Sequence, residues 1–202
     1  MPRSRFSLMV TYDLDMHRDI EKVLITREQI RARVAELAAQ VAQDTPFDPG
    51  ETDEGSLVLI PVMTGAMVLT ADLVREMPFK LRLQLVAVSS YPGKSMESKG
   101  AHIASELPGD LEGKHVVVID DILDSGHTIA VLRTLIEQHK PASLRVCVLL
   151  KKERDDGLSV AEADYVGFSI PDEFVVGYGL DYDGYYRNHP EIVTLKPEAI
   201  EA

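Results

Sequence analysis

The sequence predicts an α/β fold, in which a Rossmann-like parallel sheet carries helices on both faces. Three nearly continuous apolar segments, 57–62, 115–120 and 143–150, predict buried strands, because a strand covered on both sides needs no polar face. Segments with helical spacing of apolar residues follow the first two of these strands. This alternation of strands and helices is typical of a parallel sheet covered on both faces.

An amphipathic helix is predicted before the first buried strand. Thr26 followed by Gln29 resembles a capping box, which closes the amino end of a helix. The apolar residues that follow fall on one helical face; they are Ile30, Val34, Leu37, Ala38 and Val41. The segment 45–55 is then predicted to be an acidic loop rich in turn-forming residues.

The remaining elements follow from periodicity and turn signals. Helices are predicted at 65–77 and from about 126 to 138, and Pro141 limits the second of them. Residues 90–101 have few apolar anchors, a composition typical of a mobile loop. Further strands are predicted at 81–88, with one wetter face, and near 165–168, 174–177 and 191–195.

Length and charge limit the classes of function. The chain has 202 residues, most simply one domain spanning 1–202. A net charge of −12 disfavours nucleic acid as the main partner, because proteins that neutralise phosphates usually show a basic face. The single cysteine, Cys147, allows no disulfide within the chain, and no apolar run is long enough to cross a membrane. We expect a cytoplasmic protein with neither a nucleic-acid nor a membrane partner.

Three carboxylates meet where the second buried strand ends, in the stretch VVVIDDILDSGHTI at 116–129. Asp120 and Asp121 stand at a carboxyl end of a parallel sheet, where ligands bind, and can hold hydroxyl groups or a metal-bound ligand. Ser125, Gly126 and Thr128 begin the next helix, whose free N–H groups favour a phosphate. The alternative is that Asp124 or Ser125 only caps the helix and that the acidic pair is solvated.

This stretch resembles the phosphoribosyl diphosphate (PRPP) signature of type I phosphoribosyltransferases. That signature has four apolar residues, two acids and two apolar residues, then Asp, Ser or Thr, Gly, any residue and Thr. Three other segments resemble the hypoxanthine-guanine enzymes of that family. Residues 174–192 are similar to their purine-binding segment, Ser90-Tyr91 to the start of their mobile loop, and 59–77 to their pyrophosphate-loop region.

The resemblance extends over roughly residues 20–195 and implies the type I phosphoribosyltransferase fold. It implies a core of about 50–165 and a small hood from about 1–25 and 166–202. The implied activity is purine salvage, in which hypoxanthine or guanine reacts with PRPP to give IMP or GMP and pyrophosphate, with Mg²⁺. It also implies a homodimer or homotetramer.

The resemblance assigns roles within the acidic stretch. Asp120 and Asp121 would bind the ribose hydroxyls, directly or through magnesium. Asp124 would lie beside the purine imidazole edge and exchange a proton there, as the catalytic residue. The 5′-phosphate would be held by a group of four: Ser125, Gly126, Thr128 and the amide of His127.

The resemblance also assigns roles outside that stretch. Lys152 would donate to the purine 6-oxo group, although without the resemblance it would be an ordinary charged strand end. Phe174 would stack on the base, although Phe before Val-Val is otherwise a core residue, and Val175 would offer backbone contacts. Asp181 would bind a second magnesium ion and Arg187 would contact pyrophosphate, for which a guanidinium is well suited. Thr64 and Gly65 would form the pyrophosphate loop, and Ser90 and Tyr91 would belong to a lid over the ribose.

The chain departs from the family pattern in three places. Met63-Thr64-Gly65 stands where the family commonly has Leu-Lys-Gly, so the contribution of the lysine is lost there. His127 stands where Lys or Arg is frequent, and Lys151 where bacterial relatives often have an acid.

Other functions stay open at this point. They include a xanthine-preferring enzyme of the same family, and a non-catalytic RNA-binding regulator on the same fold, which the net charge disfavours. The segment 175–182, VVGYGLDY, argues for a 6-oxopurine enzyme over one for orotate or adenine. A receiver-like signalling domain would carry its acidic pair near its first strand, unlike this chain.

Overall fold

The computed structural model of the chain describes residues 15–45, 57–89, 102–103, 109–153 and 160–200. The larger of the two described sheets has seven strands, six of them in the order β5-β4-β2-β6-β7-β8. The strands are β2 (Leu57–Met63), β4 (Val86–Ser89), β5 (His102–Ile103), β6 (His115–Leu123), β7 (Ser143–Glu153) and β8 (Tyr165–Pro171). All neighbours along this order are parallel except β4 and β5, which confirms the predicted parallel sheet.

Helices cover both faces of this sheet. The longer ones are α2 (Arg27–Asp44), α3 (Met67–Arg75) and α4 (His127–Glu137); α1 (Asp15–Asp19) and α5 (Pro197–Ile200) are short. Successive residues of β2 alternate between two cores, because strand side chains point to opposite faces. Leu57 and Leu59 pack in the core that includes α2 and α3, whereas Val58 and Ile60 pack in the core that includes α4.

Helix α2 has the amino end that the sequence predicts. Thr26 is the N-cap residue; its side chain accepts from the Gln29 backbone, and the Gln29 side chain accepts from the Thr26 backbone. The five predicted apolar residues of this helix are all buried. The capping box and the apolar face are thus both confirmed.

The prediction of a single strand at 81–88 is wrong. The chain forms two short strands there, β3 (Arg82–Leu83) and β4, and both pair with β2. They flank Pro61 of β2, which has no backbone N–H to donate to a neighbouring strand. The interruption at 84–85 therefore lies beside the one residue of β2 that cannot complete a ladder of hydrogen bonds.

The predictions for other strands also need correction. Residues 174–177 form no strand and make only isolated bridges such as Val176 to Val193, because Gly177 already has a positive φ of 99°. Strands β6, β7 and β8 each extend three residues beyond their predicted ends. The sequence patterns also missed β1 (Ile20–Ile25), which pairs antiparallel with β9 (Ile192–Leu195) in a separate two-stranded sheet.

The β1–β9 pairing joins residues 20–25 to residues 192–195, while β8 belongs to the main sheet as far as Pro171. The division into a core and a hood, and the single domain, stay predictions. Ser90, Tyr91 and the predicted lid at 90–101 lie outside the described residues, as does the acidic loop beyond Thr45. Among the described helices, none is both long and apolar enough to cross a membrane.

Candidate active site

Two adjacent carboxylates lie near the carboxyl end of β6. Asp120 is 7% exposed, and its Oδ1 accepts a hydrogen bond of 3.0 Å from the Asp121 backbone N–H. The Asp121 Oδ1 in turn accepts from the Ile122 N–H at 2.8 Å. Burial, reinforced by the neighbouring Asp121 carboxylate, raises the pKa of Asp120 well above its ordinary value. Burial also raises the pKa of Asp121, against the opposing effects of hydrogen bonds and of the Arg187 charge.

The loop after β2 comes into close contact with this acidic pair. The Met63–Thr64 peptide bond is cis, and Thr64 is exposed. A Cβ on Gly65 would lie 1.9 Å from the Asp121 Oδ2, so only a glycine leaves room for that carboxylate. Gly179 has a φ of 109°, and a Cβ there would lie 2.3 Å from the Gly65 carbonyl oxygen. Segments far apart in sequence therefore meet at Asp121 and Gly65.

The turn between β6 and α4 presents the amino end of a helix. Gly126 is the N-cap residue of α4, with a φ of 79°, so the N-cap position belongs neither to Asp124 nor to Ser125. The Ser125 Oγ lies 2.9 Å from the His127 Nδ1, and the Ser125 carbonyl accepts from the Val160 N–H at 3.0 Å. The first backbone N–H groups of a helix have no partner within it and attract anions. We call residues 120–128 the acidic turn.

A pocket of about 230 Å³ opens beside the acidic turn, and we call it the Lys152 pocket. The Lys152 side chain is only 13% exposed; its Nζ lies 2.9 Å from the Asp172 Oδ1 and 3.7 Å from the Asp124 Oδ2. Lys152 is therefore a largely buried, ion-paired side chain, and its interpretation as an ordinary charged strand end is wrong. The residues that line the pocket are Asp121, Ile122, Asp124, Lys152, Phe174, Val175, Leu180 and Asp181.

Phe174 and Val175 differ sharply in burial although they are adjacent. Phe174 is 48% exposed and meets the ring of Tyr182 edge-on, with 5.7 Å between ring centroids. The alternative in which Phe174 is an ordinary core residue is therefore wrong. Val175 is 5% exposed and belongs to the main core. The exposed ring of Phe174, which lines the pocket, is thus adjacent to a residue packed in the core.

Arg187 and Asp181 form an ion pair near the same carboxylates. The Arg187 Nη2 lies 2.6 Å from the Asp181 Oδ1, and Nη1 donates to the Gly179 carbonyl at 2.6 Å. The Asp181 Oδ2 accepts from the Gly184 N–H at 2.8 Å. The positive charge of Arg187 also opposes the rise in the pKa of Asp121, so the guanidinium lies within electrostatic reach of the acidic turn.

The structure thus brings the predicted residues of four chain segments to one place. Asp121, Asp124 and Lys152 line one pocket with Phe174, Val175 and Asp181, while Gly65 touches Asp121. Asp172 was missed. A signal for it existed, since it directly follows β8, whose carboxyl end lies beside that of β7. The chemical roles assigned from the resemblance stay predictions.

The acidic turn fits a magnesium ion that arrives with its own oxygen ligands. Among the residues described, no group of three or more His, Cys, Asp or Glu side chains could hold a metal by itself. Mg²⁺ usually keeps several waters and takes one or two carboxylates together with substrate phosphates. Asp120 and Asp121 supply such a pair, whereas Asp181 is already paired with Arg187.

Known proteins resemble this chain over most of its length. The family model described as "Phosphoribosyl transferase domain" matches residues 25–183. A hypoxanthine-guanine phosphoribosyltransferase of Mycobacterium avium is 43% identical over 184 residues, which are 91% of this chain and 89% of that protein.

Solved structures agree with these sequence matches. A hypoxanthine phosphoribosyltransferase from Staphylococcus aureus has a TM-score of 0.81 and 40% identity, covering 92% of this chain and 96% of its own. A mutant of the Trypanosoma cruzi enzyme, complexed with the product IMP, has a TM-score of 0.77 and 38% identity, covering 90% and 94%. This chain therefore belongs to the phosphoribosyltransferase family, in its hypoxanthine-guanine group.

Proposed function

We propose that this protein is a purine salvage enzyme that transfers the ribose 5-phosphate of PRPP to hypoxanthine or guanine, with release of pyrophosphate. The observation that carries the proposal is the Lys152 pocket, where an ammonium, a carboxylate and an exposed aromatic ring face one space. That space adjoins a helix amino end suited to phosphate. A base with an oxo group and a phosphorylated sugar would need these groups side by side.

The pocket suits a 6-oxopurine. The Lys152 ammonium donates hydrogen bonds and cannot accept them, so it matches an oxo oxygen and mismatches the amino group of adenine. Phe174 would stack on the ring, and the backbone of buried Val175 would meet the edge of the pyrimidine ring. Asp124, 3.7 Å from the Lys152 Nζ, would lie toward the imidazole edge of the base.

The acidic turn suits the sugar phosphate. The amides of the first turn of α4, with the hydroxyls of Ser125 and Thr128, would hold the 5′-phosphate. Asp120 and Asp121 would hold the ribose hydroxyls and a magnesium ion, whose charge would offset that of the leaving pyrophosphate. Gly65, by its lack of a side chain, keeps the loop after β2 close to Asp121. The backbone of that loop, including Thr64, would bind pyrophosphate, and Arg187 would assist once released from Asp181.

In the reaction, a purine imidazole nitrogen would attack the anomeric carbon of the ribose as the bond to pyrophosphate breaks. The developing positive charge on the sugar would be stabilised by the nearby carboxylates. The base would give up one proton, and Asp124 would accept it, which makes the attacking nitrogen more nucleophilic. The products would be IMP or GMP and pyrophosphate.

The test is an assay with PRPP and a panel of four bases: hypoxanthine, guanine, xanthine and adenine. Nucleotide formation from hypoxanthine and guanine is expected with magnesium and not with EDTA. Absence of product from every purine at saturating PRPP and magnesium would refute the proposal. Strong preference for xanthine would replace it with the xanthine-enzyme alternative.

We also propose, on the family resemblance alone, that the protein forms a homodimer or homotetramer. Size-exclusion chromatography with light scattering measures the molar mass of the assembly and so distinguishes a dimer from a tetramer. A cytoplasmic location and the absence of a nucleic-acid partner stay predictions from composition.

A further inference from the structure

The Lys152 ammonium lies between two carboxylates at unequal distances. The Asp172 Oδ1 is 2.9 Å from Nζ, within hydrogen-bond distance, whereas the Asp124 Oδ2 is 3.7 Å away, at ion-pair distance only. Since the Lys152 side chain is only 13% exposed, its conformations are restricted and nearby charges act strongly on the ammonium. Its position is therefore determined mainly by these two acids.

The backbone fixes Asp172 opposite Lys152. Strands β7 and β8 are parallel, with Lys152 paired to Ile170, so the residue after Pro171 emerges at the same edge of the sheet. The Glu173 N–H donates to the Pro171 carbonyl at 2.7 Å, which closes a tight turn with Asp172 at its centre. The ring of Pro171 fixes its φ angle, which restricts the backbone at the start of this turn. The Asp172 carboxylate is thus supported by a constrained backbone.

Asp172 lies outside the lining of the Lys152 pocket, the space that we assign to the base. The residues that line the Lys152 pocket include Asp124 and Lys152 but not Asp172. An ammonium has three N–H donors, and the bond to Asp172 uses one. Without Asp172, the ion-pair partner left to the ammonium would be Asp124, and a direct pair would draw Nζ away from the oxo group and occupy the carboxylate that accepts the proton.

We propose that Asp172 is a positioning residue, which holds the Lys152 ammonium apart from Asp124 and so keeps both groups available to the base. This inference rests on the proposed function, because it assigns Asp172 a part in recognition of the 6-oxo group. It predicts that loss of the Asp172 charge weakens binding of the base and leaves binding of PRPP nearly unchanged.

The test compares Asp172→Asn with the wild type in full steady-state kinetics. Asparagine keeps the size of the side chain but loses the charge-assisted bond, which is worth about twice a neutral one. Because Asp172 is 49% exposed, a moderate effect is expected, with KM for hypoxanthine rising about five- to tenfold. KM for PRPP should change less than about twofold, and Asp172→Glu should recover part of the loss, because its carboxylate retains the charge.

The matched control is Glu153→Gln, which removes the same charge one residue from Lys152. Glu153 is exposed and its side chain alternates to the other face of β7. Its kinetics should equal those of the wild type. Calorimetric titration with IMP gives a readout independent of turnover, and Asp172→Asn should bind IMP about five- to tenfold more weakly.

The outcomes separate the two proposals. If the wild type uses no 6-oxopurine, the proposed function fails. If the wild type is active and Asp172→Asn keeps the wild-type KM for hypoxanthine, only the inference about Asp172 fails. Equal losses for hypoxanthine and PRPP, or a lowered melting temperature, would show a general structural role and would also overturn it.

Discussion

The acidic turn and the Lys152 pocket are adjacent, but the chain builds them in different ways. The acidic turn is nine consecutive residues, 120–128, whose positions follow from one strand, one glycine with positive φ and one helix start. The Lys152 pocket combines the ends of β6 and β7 with residues 174–175 and 180–181. A contiguous site depends on local geometry, whereas an assembled one depends on sheet order and on turns far away in sequence.

Replacing Asp124 tests the point where the two regions meet, since this residue belongs to both. Asp124→Asn should lower kcat by about 10²–10⁴, because the amide cannot accept the proton of the base. KM for PRPP should stay close to that of the wild type, since Gly126 and not Asp124 occupies the N-cap position of α4. Steady-state assays with hypoxanthine measure both constants. The exposed Asp183→Asn serves as a control for loss of charge, and a nearly normal kcat in Asp124→Asn would contradict the assigned role.

Lys152→Gln should affect the assembled region alone. Loss of the ammonium should lower kcat/KM for hypoxanthine about 10- to 100-fold, since an unmatched buried polar group costs about 1–3 kcal/mol. Because glutamine can accept as well as donate, the preference for hypoxanthine over adenine should narrow. The neighbouring Lys151→Gln is the control. Unchanged kcat/KM for hypoxanthine, or equal use of both bases by the wild type, would show that Lys152 does not recognise the oxo group.

Gly65→Ala tests whether the acidic turn also depends on its contact with the loop after β2, which is distant in sequence. The new Cβ would lie 1.9 Å from the Asp121 Oδ2, so the carboxylate or the loop must move. We expect kcat/KM for PRPP to fall about tenfold, at the lower end of the cost of overpacking. Gly109→Ala is a matched control, because a Cβ there meets no atom within 4 Å. Wild-type PRPP kinetics in Gly65→Ala would mean that the contact between loop and carboxylate is dispensable.

The smallest expected effect is on stability, through the buried carboxyl group of Asp120. Its pKa is raised above 3.8 in the folded protein, mainly by burial. The folded state therefore keeps this proton where the unfolded chain has released it, and the group lowers stability as pH rises through that interval. Asp120→Asn should raise Tm by about 2–4 °C at pH 7 in EDTA.

The gain in Tm should shrink toward pH 4, where the unfolded chain also keeps the proton. Thermal melts across this range, with the exposed Asp110→Asn as control, measure the trend. A Tm difference that is independent of pH would mean that the titration of Asp120 is not its source.

Much of the local structure was predictable because its causes are local. The capping box at Thr26 and Gln29 and the apolar face of α2 follow from hydrogen bonds and spacing within a few residues. The apolar strands β2, β6 and β7 were predictable because strands that are buried on both faces are nearly continuous runs of apolar residues. The acidic turn belongs with them, since a strand and a helix start suffice to place its groups. Strand β1 was not predictable in this way, because its partner β9 lies at the other end of the chain.

The sequence by itself determined the fold class, the family resemblance and the chemical groups of the acidic turn. Only the tertiary structure decided that Phe174 lies exposed at a pocket rather than in the core, that Arg187 pairs with Asp181, and that Asp172 holds Lys152. The physical reason is the distance along the chain over which each interaction acts. Capping and periodicity act over three or four residues, whereas the Lys152–Asp172 contact joins residues 20 apart through the register of two parallel strands and the turn after Pro171.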